Sequence, residues 1–311
     1  MKLGILFAGQ GSQKPGMGVD LYEKSQLFRE TFDLLPEERK KLAFEGPMEE
    51  LSDTRNTQPV LVAFAAGVMR ELKAAGIRPE MAAGLSLGEY SALYAAGVFD
   101  EKTVLDLVTL RADEMHKAAE GVDCAMYAVI GSEREILKEC CEEASAEGIV
   151  SMVNFNCPGQ IVISGERKAA EKCAELVKER GAKRAMPLPV SGPFHTVFMK
   201  PAGEALKKKF EEITFNPMEF PVLFNATGKE KEENETVADL LVKQVSNSVY
   251  FEDSIKYMES MGIDTIIEVG PGKTLSSFVR KTAKTIRCLT IETAEDLEKV
   301  IEELKGEENE R

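Results

Sequence analysis

The stretch Gly84-Leu85-Ser86-Leu87-Gly88 most restricts what this chain can fold into. Met81-Ala82-Ala83 before it can close a strand, and Glu89-Tyr90-Ser91-Ala92-Leu93-Tyr94-Ala95-Ala96 after it can open a helix that Gly97 stops. The two glycines let strand and helix approach closely, while Ser86 projects from a strained turn beside unpaired amide N–H groups at the helix start. Two readings fit such a serine. It is an exposed nucleophile facing ready-made oxyanion donors, or it caps a helix after a tight turn.

The neighbouring chain keeps a strand–helix rhythm. Leu3–Ala8 is a continuous apolar run ending in Gly9-Gln10-Gly11-Ser12-Gln13, the pattern of a buried strand feeding a loop. That loop either presents backbone N–H groups to a ligand or only serves a tight turn. Residues 19–60 carry charged helical patterns without evident chemistry. Pro59 is expected as a first helical residue, and Val60, Phe64, Val68 and Leu72 form an apolar stripe that ends at Gly76. This helix returns the chain to the strand before Ser86, a βαβ unit.

Lys102–Ala119 is expected to be helical, with Val104, Val108, Arg111 and Met115 on one face. A guanidinium in an apolar stripe is costly unless a carboxylate or phosphate meets its fork, or a side chain pairs with it structurally. His116 lies beside this face and reads as a surface histidine. After Gly121 the pattern changes to strand Met126–Ile130, helix Glu133–Ala146, strands Ile149–Asn154 and Gln160–Ser164, helix Arg167–Arg180, and a strand near Lys183–Pro187. That order is the split βαβ of a ferredoxin-like unit, inserted between two parts of a larger domain with boundaries near 122 and 192. The loop Pro189-Val190-Ser191-Gly192-Pro193-Phe194-His195 holds the second of only two histidines, so general-base candidates are few.

A helix over Thr196–Glu212, a strand at Pro221–Asn225, a helix near Val237–Val245 and a strand at Ile263–Val269 follow. Gly272-Lys273-Thr274 invites a nucleotide-binding reading, but a P-loop needs glycine where Ile267 stands. The chain closes with an amphipathic helix through Leu297, Val300, Ile301 and Leu304 and a frayed acidic segment from Gly306 to Arg311.

Composition narrows the function further. With 39 basic and 53 acidic residues the net charge is −14, which repels a phosphate backbone and argues against a nucleic-acid partner. Six cysteines without a C-x-x-C pair read as free thiols of a reducing compartment. The N-terminal apolar run reads as a strand instead of a signal peptide, and Val60–Met69 is about half of what a bilayer crossing requires. No membrane association is expected, and a cytoplasmic location is.

Gln10-Gly11-Ser12-Gln13, Gly84–Gly88 with Glu89-Tyr90-Ser91-Ala92, Arg111, and Gly192-Pro193-Phe194-His195 fall in one order along the chain. Together with Asn154-Phe155-Asn156, Pro158-Gly159-Gln160 and Glu268-Val269-Gly270-Pro271-Gly272, they make it resemble the malonyl-CoA:acyl carrier protein transacylases from about residue 4 to 290. The resemblance implies an α/β-hydrolase-like large domain (residues 1–121 and 193–311) interrupted by the ferredoxin-like small domain (residues 122–192), with the active site in the cleft between them. It implies that Ser86 is the nucleophile, that His195 is the general base, and that a backbone carbonyl near Gln244 holds the imidazole. The N–H groups of Gln10 and Leu87 then form the oxyanion hole, and Arg111 clamps the malonyl carboxylate, with Met115 among the substrate contacts.

By the same resemblance Phe194 favours malonyl over methylmalonyl groups, and Asn154, Asn156, Gln160 and Arg184 touch coenzyme A or pantetheine. The basic cluster Arg280, Lys281, Lys284 and Arg287 docks the acidic carrier protein. The reaction is a ping-pong transfer that serves fatty-acid synthesis, with malonyl-CoA as a substrate and no cofactor. The sequence departs from the family pattern at Leu85, where a histidine usually precedes the serine. A serine thioesterase or esterase with the same elbow, a polyketide-pathway acyltransferase and a non-catalytic carrier-binding subunit are the alternatives; the hydrolase predicts an Asp or Glu behind the histidine.

Overall fold

Continuous apolar runs become buried strands in the computed structural model, which describes residues 1–189 and 192–309. The strands are β1 (Leu3–Phe7), β2 (Met81–Gly84), β3 (Cys124–Ile130), β4 (Val150–Cys157), β5 (Gln160–Glu166), β6 (Arg184–Pro187), β7 (Thr265–Val269) and β8 (Arg287–Ile291). They form one parallel and one antiparallel sheet within a mixed α/β fold. Two compact units arise, Met1–Ala112 with Thr214–Leu223 and Lys256–Arg311, and Asp113–Ile213 with Phe224–Ile255. These divisions fall outside the boundaries near 122 and 192 read from the sequence.

The first unit holds the parallel sheet, in the order β2-β1-β7-β8. Every residue of β1, β2 and β7 is buried, as expected of strands covered by helices on both faces. Helix Thr54–Ala74 begins five residues before Pro59, because the Asp53 carboxylate caps it by accepting from the Arg55 N–H at 2.9 Å. Proline then falls in the second turn, and the stripe Val60, Phe64, Val68 and Leu72 is fully buried. Pro221–Asn225 does not form the expected strand. Val222 makes a single parallel bridge to Ala82, and the chain then turns back, with Phe224 N–H donating to the Lys229 carbonyl at 2.9 Å. Strand β8, which sequence reading did not anticipate, pairs in register with β7 instead. Gly306 does not end the last helix, which runs Ala294–Asn309; the remainder of the expected frayed end lies outside the described residues.

Glu268 on β7 explains the Gly-Pro-Gly segment after it. Its carboxylate, 1% exposed, accepts from the N–H groups of Leu275 at 2.9 Å and Ser276 at 2.7 Å, in the first turn of helix Thr274–Thr282. The anion position at this helix start is filled by the chain's own carboxylate, which removes the phosphate reading of Gly272-Lys273-Thr274 a second time. Glu268→Ala strips a charged acceptor from two buried donors and is expected to destabilise the fold by about 2–4 kcal/mol. Calorimetry should read a fall of several degrees in Tm; an unchanged melt would reject this role for the carboxylate.

The second unit follows the order strand, helix, strand, strand, helix, strand from β3 to β6, with helices Arg134–Ala144 and Arg167–Glu179. Its sheet order is β4-β5-β3-β6, every neighbour antiparallel. Val129, Phe155, Ile161 and Ile163 on one sheet face pack with Leu137, Cys140, Cys173 and Val177 of the two helices. All six cysteines are free thiols, Cys141 and Cys173 lying 3.5 Å apart. Among the described residues no helix is long and apolar enough to cross a membrane, and no cluster of His, Cys, Asp or Glu could hold a metal ion.

Candidate active site

The register of the parallel sheet places Phe7 opposite both Gly84 and Val269, so the loops after β1, β2 and β7 leave from one carboxyl edge. In open α/β sheets that edge is where ligands bind. Leu85 N–H donates to the Phe7 carbonyl at 3.1 Å, tying the turn after β2 to the end of β1. Ser86 then takes φ 51°, a left-handed conformation that strains a residue with a Cβ by about 1–3 kcal/mol. The flanking glycines are steric requirements. A Cβ on Gly84 would lie 1.9 Å from the Gly88 carbonyl carbon, and one on Gly88 would lie 2.2 Å from the Phe7 oxygen. Leu85 and Ser86 are both half-buried.

Helix Gly88–Ala95 starts directly after this turn, with Leu87 at its cap. Neither the Leu87 N–H nor the Gln10 N–H donates to any described residue, which leaves two backbone donors at the carboxyl edge of β1 and β2. The Gln10 side chain is held, its Oε1 accepting from the Thr54 hydroxyl at 2.9 Å.

Arg111, on helix Glu101–Ala119, is 1% exposed. Its Nη1 donates to Gln58 Oε1 at 2.7 Å and its Nη2 to Ser86 Oγ at 3.3 Å, with the guanidinium carbon 5.5 Å from the Tyr90 ring centroid. Burial pulls its pKa down, opposed by the nearby Tyr90 and Glu89, but a guanidinium remains charged in any protein environment. A buried cation therefore lies beside the strained serine hydroxyl. Because Arg111 donates to Oγ, this contact does not use the serine's own proton.

His195 belongs to the second unit, where it is 5% exposed and also takes a positive φ, 61°. Its Nδ1 lies 2.9 Å from the Gln244 carbonyl. A carbonyl only accepts, so Nδ1 carries a proton, and in the neutral imidazole the basic nitrogen is then Nε2. Gln244 is fully buried, its Nε2 donating to Asn225 Oδ1 at 3.3 Å. The position that a triad enzyme gives to a carboxylate is held here by a backbone oxygen.

The remaining sequence candidates are spread over several elements. Met115 is buried one turn beyond Arg111, and Phe194 is buried next to His195. Val190 and Ser191 of that loop lie outside the described residues. Gln160 and Arg184 both pair with Ile130, and Asn154 pairs with Val162, so these three share the sheet face opposite the two helices. Asn156 falls at a register shift and is 7% exposed, with no partner for its Oδ1 among the described residues. Arg280, Lys281 and Lys284 are exposed. Arg287 does not belong to that basic cluster: on β8 it pairs with Glu303 and Glu307, and so contributes no free charge.

Sequence reading gave no site role to Thr54, Gln58 or Asn225, nor to Glu89 and Tyr90, which it used only as part of the motif after the serine. No local signal singles out the first two, since Thr54-Arg55-Asn56-Thr57-Gln58 is a continuous polar run at the start of its helix. Nothing local marks their partners.

A glycine-flanked serine at the carboxyl edge of a parallel sheet, hydrogen-bonded to a buried arginine, has the geometry of a nucleophile elbow. The chain belongs to the acyl transferase family, whose domain model matches residues 5–309. The malonyl CoA-acyl carrier protein transacylase of Bacillus subtilis (strain 168) is 42% identical over 311 residues, covering 98% of each chain. Among solved structures, the malonyl CoA-acyl carrier protein transacylase of Clostridium perfringens superposes with a TM-score of 0.93 at 39% identity, covering 99% of this chain and 98% of that one. A malonyl-transacylase solved in complex with its type II polyketide acyl-carrier protein also gives 0.93, at 37% identity over 97% of this chain and 100% of that one.

Proposed function

We propose that this chain transfers a malonyl group from malonyl-CoA, through a malonyl ester on Ser86, to the phosphopantetheine thiol of an acyl carrier protein. The observation that carries this reading is the buried Arg111 guanidinium 3.3 Å from Ser86 Oγ. A malonyl ester on that oxygen has a free carboxylate two carbons from the acyl carbonyl, and Arg111 is placed to receive it in a bidentate pair. The names of the relatives agree.

In the first half-reaction His195 Nε2 takes the proton of Ser86 Oγ, which attacks the thioester carbonyl. The N–H groups of Gln10 and Leu87 stabilise the oxyanion, and coenzyme A leaves with the proton from His195. The second half-reaction repeats these steps with the carrier thiol as nucleophile. No cofactor takes part. Phe194 selects malonyl by crowding an α-methyl group. Asn154, Asn156, Gln160 and Arg184 hold coenzyme A or pantetheine, with Met115 near the acyl group. Arg280 and Lys281 dock the acidic carrier.

We read the fold as an α/β-hydrolase-like core with a ferredoxin-like insertion over residues 122–192; the strand order β4-β5-β3-β6 supports the second half of that description. The free thiols fit a cytoplasmic enzyme of fatty-acid synthesis.

Intact-protein mass spectrometry after mixing with malonyl-CoA tests the reaction. A malonyl adduct is expected on the parent and not on Ser86→Ala, and holo carrier protein should discharge it. Steady release of malonate without an adduct would favour a hydrolase. Reversing Arg280 and Lys281 to glutamate should slow discharge to the carrier and leave loading intact, and methylmalonyl-CoA should load more slowly than malonyl-CoA.

A further inference from the structure

The oxyanion-loop residue Gln10 and the cation Arg111 are connected by an unbroken line of buried side chains. Arg111 Nη1 donates to Gln58 Oε1 at 2.7 Å, Gln58 Nε2 donates to Thr54 Oγ1 at 2.8 Å, and Thr54 Oγ1 donates to Gln10 Oε1 at 2.9 Å. Thr54 and Gln58 are 0% exposed. We propose that Thr54 is a positioning residue, whose hydroxyl transmits the donor polarity of Arg111 to Gln10 and thereby fixes the oxyanion loop. This rests on the transacylase reading above.

The argument is one of direction. A guanidinium has donors only, so Gln58 must present its oxygen to Arg111, and its amide nitrogen must then face Thr54. The Thr54 oxygen is thus used as an acceptor from Gln58, and its single proton goes to Gln10 Oε1. Gln58 cannot be flipped without opposing two donors at Arg111, and the observed direction at Thr54 puts the hydroxyl proton on Gln10 Oε1. Donors aligned head to tail also polarise one another, and at the fully buried Thr54 and Gln58 the low dielectric strengthens that effect. The consequence falls on the backbone. Gln10 follows β1 by three residues and carries an N–H that no described residue uses, and its side chain is anchored by this line. Fixing the side chain fixes where that N–H points, which decides how well it meets a developing oxyanion.

Thr54→Val keeps the branched shape and removes both hydrogen bonds. In rapid-quench measurement of Ser86 acylation, kcat is expected to fall about 10- to 100-fold, with KM for malonyl-CoA changed less than about threefold. Acylation by acetyl-CoA should fall by the same factor, because the loss lies at the oxyanion and not at the carboxylate. Thr54→Ser should restore most of the rate. Gln10→Met, which removes the acceptor at the far end and leaves the N–H, should reproduce the loss and be non-additive with Thr54→Val; it also carries the test should Thr54→Val fail to fold. A kcat within twofold of the parent for Thr54→Val, or for Gln10→Met where the valine variant does not fold, overturns the proposal. So does equal impairment of the valine and serine variants, or a loss confined to malonyl-CoA. Absence of any Ser86 adduct on the parent would instead overturn the transacylase reading, and this proposal with it.

Discussion

His195→Ala is expected to slow acylation of Ser86 by malonyl-CoA about 10^3-fold, with thermal unfolding close to that of the parent. A positioned base contributes about 10^2- to 10^4-fold to such a step, and in the proposed reaction the same imidazole serves four proton transfers over the two half-reactions. The side chain is prepared for that task. Its Nδ1 donates to the Gln244 carbonyl at 2.9 Å, so the basic nitrogen of the neutral ring is Nε2. A backbone carbonyl has no alternative protonation state near neutral pH, so the tautomer is held without a third titrating residue. The variant gives up the hydrogen bond to the Gln244 carbonyl, at about 1 kcal/mol. Rapid-quench acylation checks the rate, and added imidazole should recover part of it. A loss smaller than about tenfold would remove His195 from the proposed role.

What was legible in the sequence was set by local constraint. The elbow could be read because Gly84 and Gly88 have no tolerance for a Cβ, and such intolerance leaves a fixed pattern of residue types. Buried β1 and β7 could be read because both faces are covered and the runs are uniformly apolar. Strand β8 escaped because four of its five residues are only half-buried, so Arg287-Cys288-Leu289-Thr290-Ile291 carries no clear period. Its arginine was taken for part of a docking patch, while two glutamates of the last helix already neutralise it. The start of helix Thr54–Ala74 was placed at Pro59, since proline is a strong signal and a single capping aspartate is a weak one.

The site was legible only as residue types. That Arg111 needs a partner followed from its position in an apolar stripe, but the partner, Gln58, lies 53 residues earlier, and no periodicity points across such a distance. The same holds for His195 and the Gln244 carbonyl, 49 residues apart, because a backbone oxygen has no sequence signature at all.

Arg111→Ala is expected to lower malonyl loading of Ser86 about 100-fold or more, and to lower acetyl loading far less. Removing one partner of a desolvated, hydrogen-bonded ion pair typically costs about 3–5 kcal/mol, and 3 kcal/mol is somewhat more than 100-fold in rate. Acetyl-CoA has no carboxylate to leave unpaired, so its loss should reflect only the contact of Arg111 Nη2 with Ser86 Oγ and the opened line through Gln58 to Gln10, which malonyl loading suffers equally. The diagnostic quantity is therefore the ratio of malonyl to acetyl loading, which cancels any common disturbance of the elbow. A common disturbance does arise, since the variant leaves Gln58 Oε1 without its donor in a site from which water is largely excluded. Arg111→Lys should rescue only partly, because an ammonium cannot span both carboxylate oxygens and Gln58 with the planar fork that the guanidinium supplies. Competition between the two thioesters in one reaction, read by mass spectrometry of the Ser86 adduct, measures the ratio directly. If the alanine variant lost malonyl and acetyl loading equally, Arg111 would be a support of the serine turn and not a clamp for the substrate carboxylate.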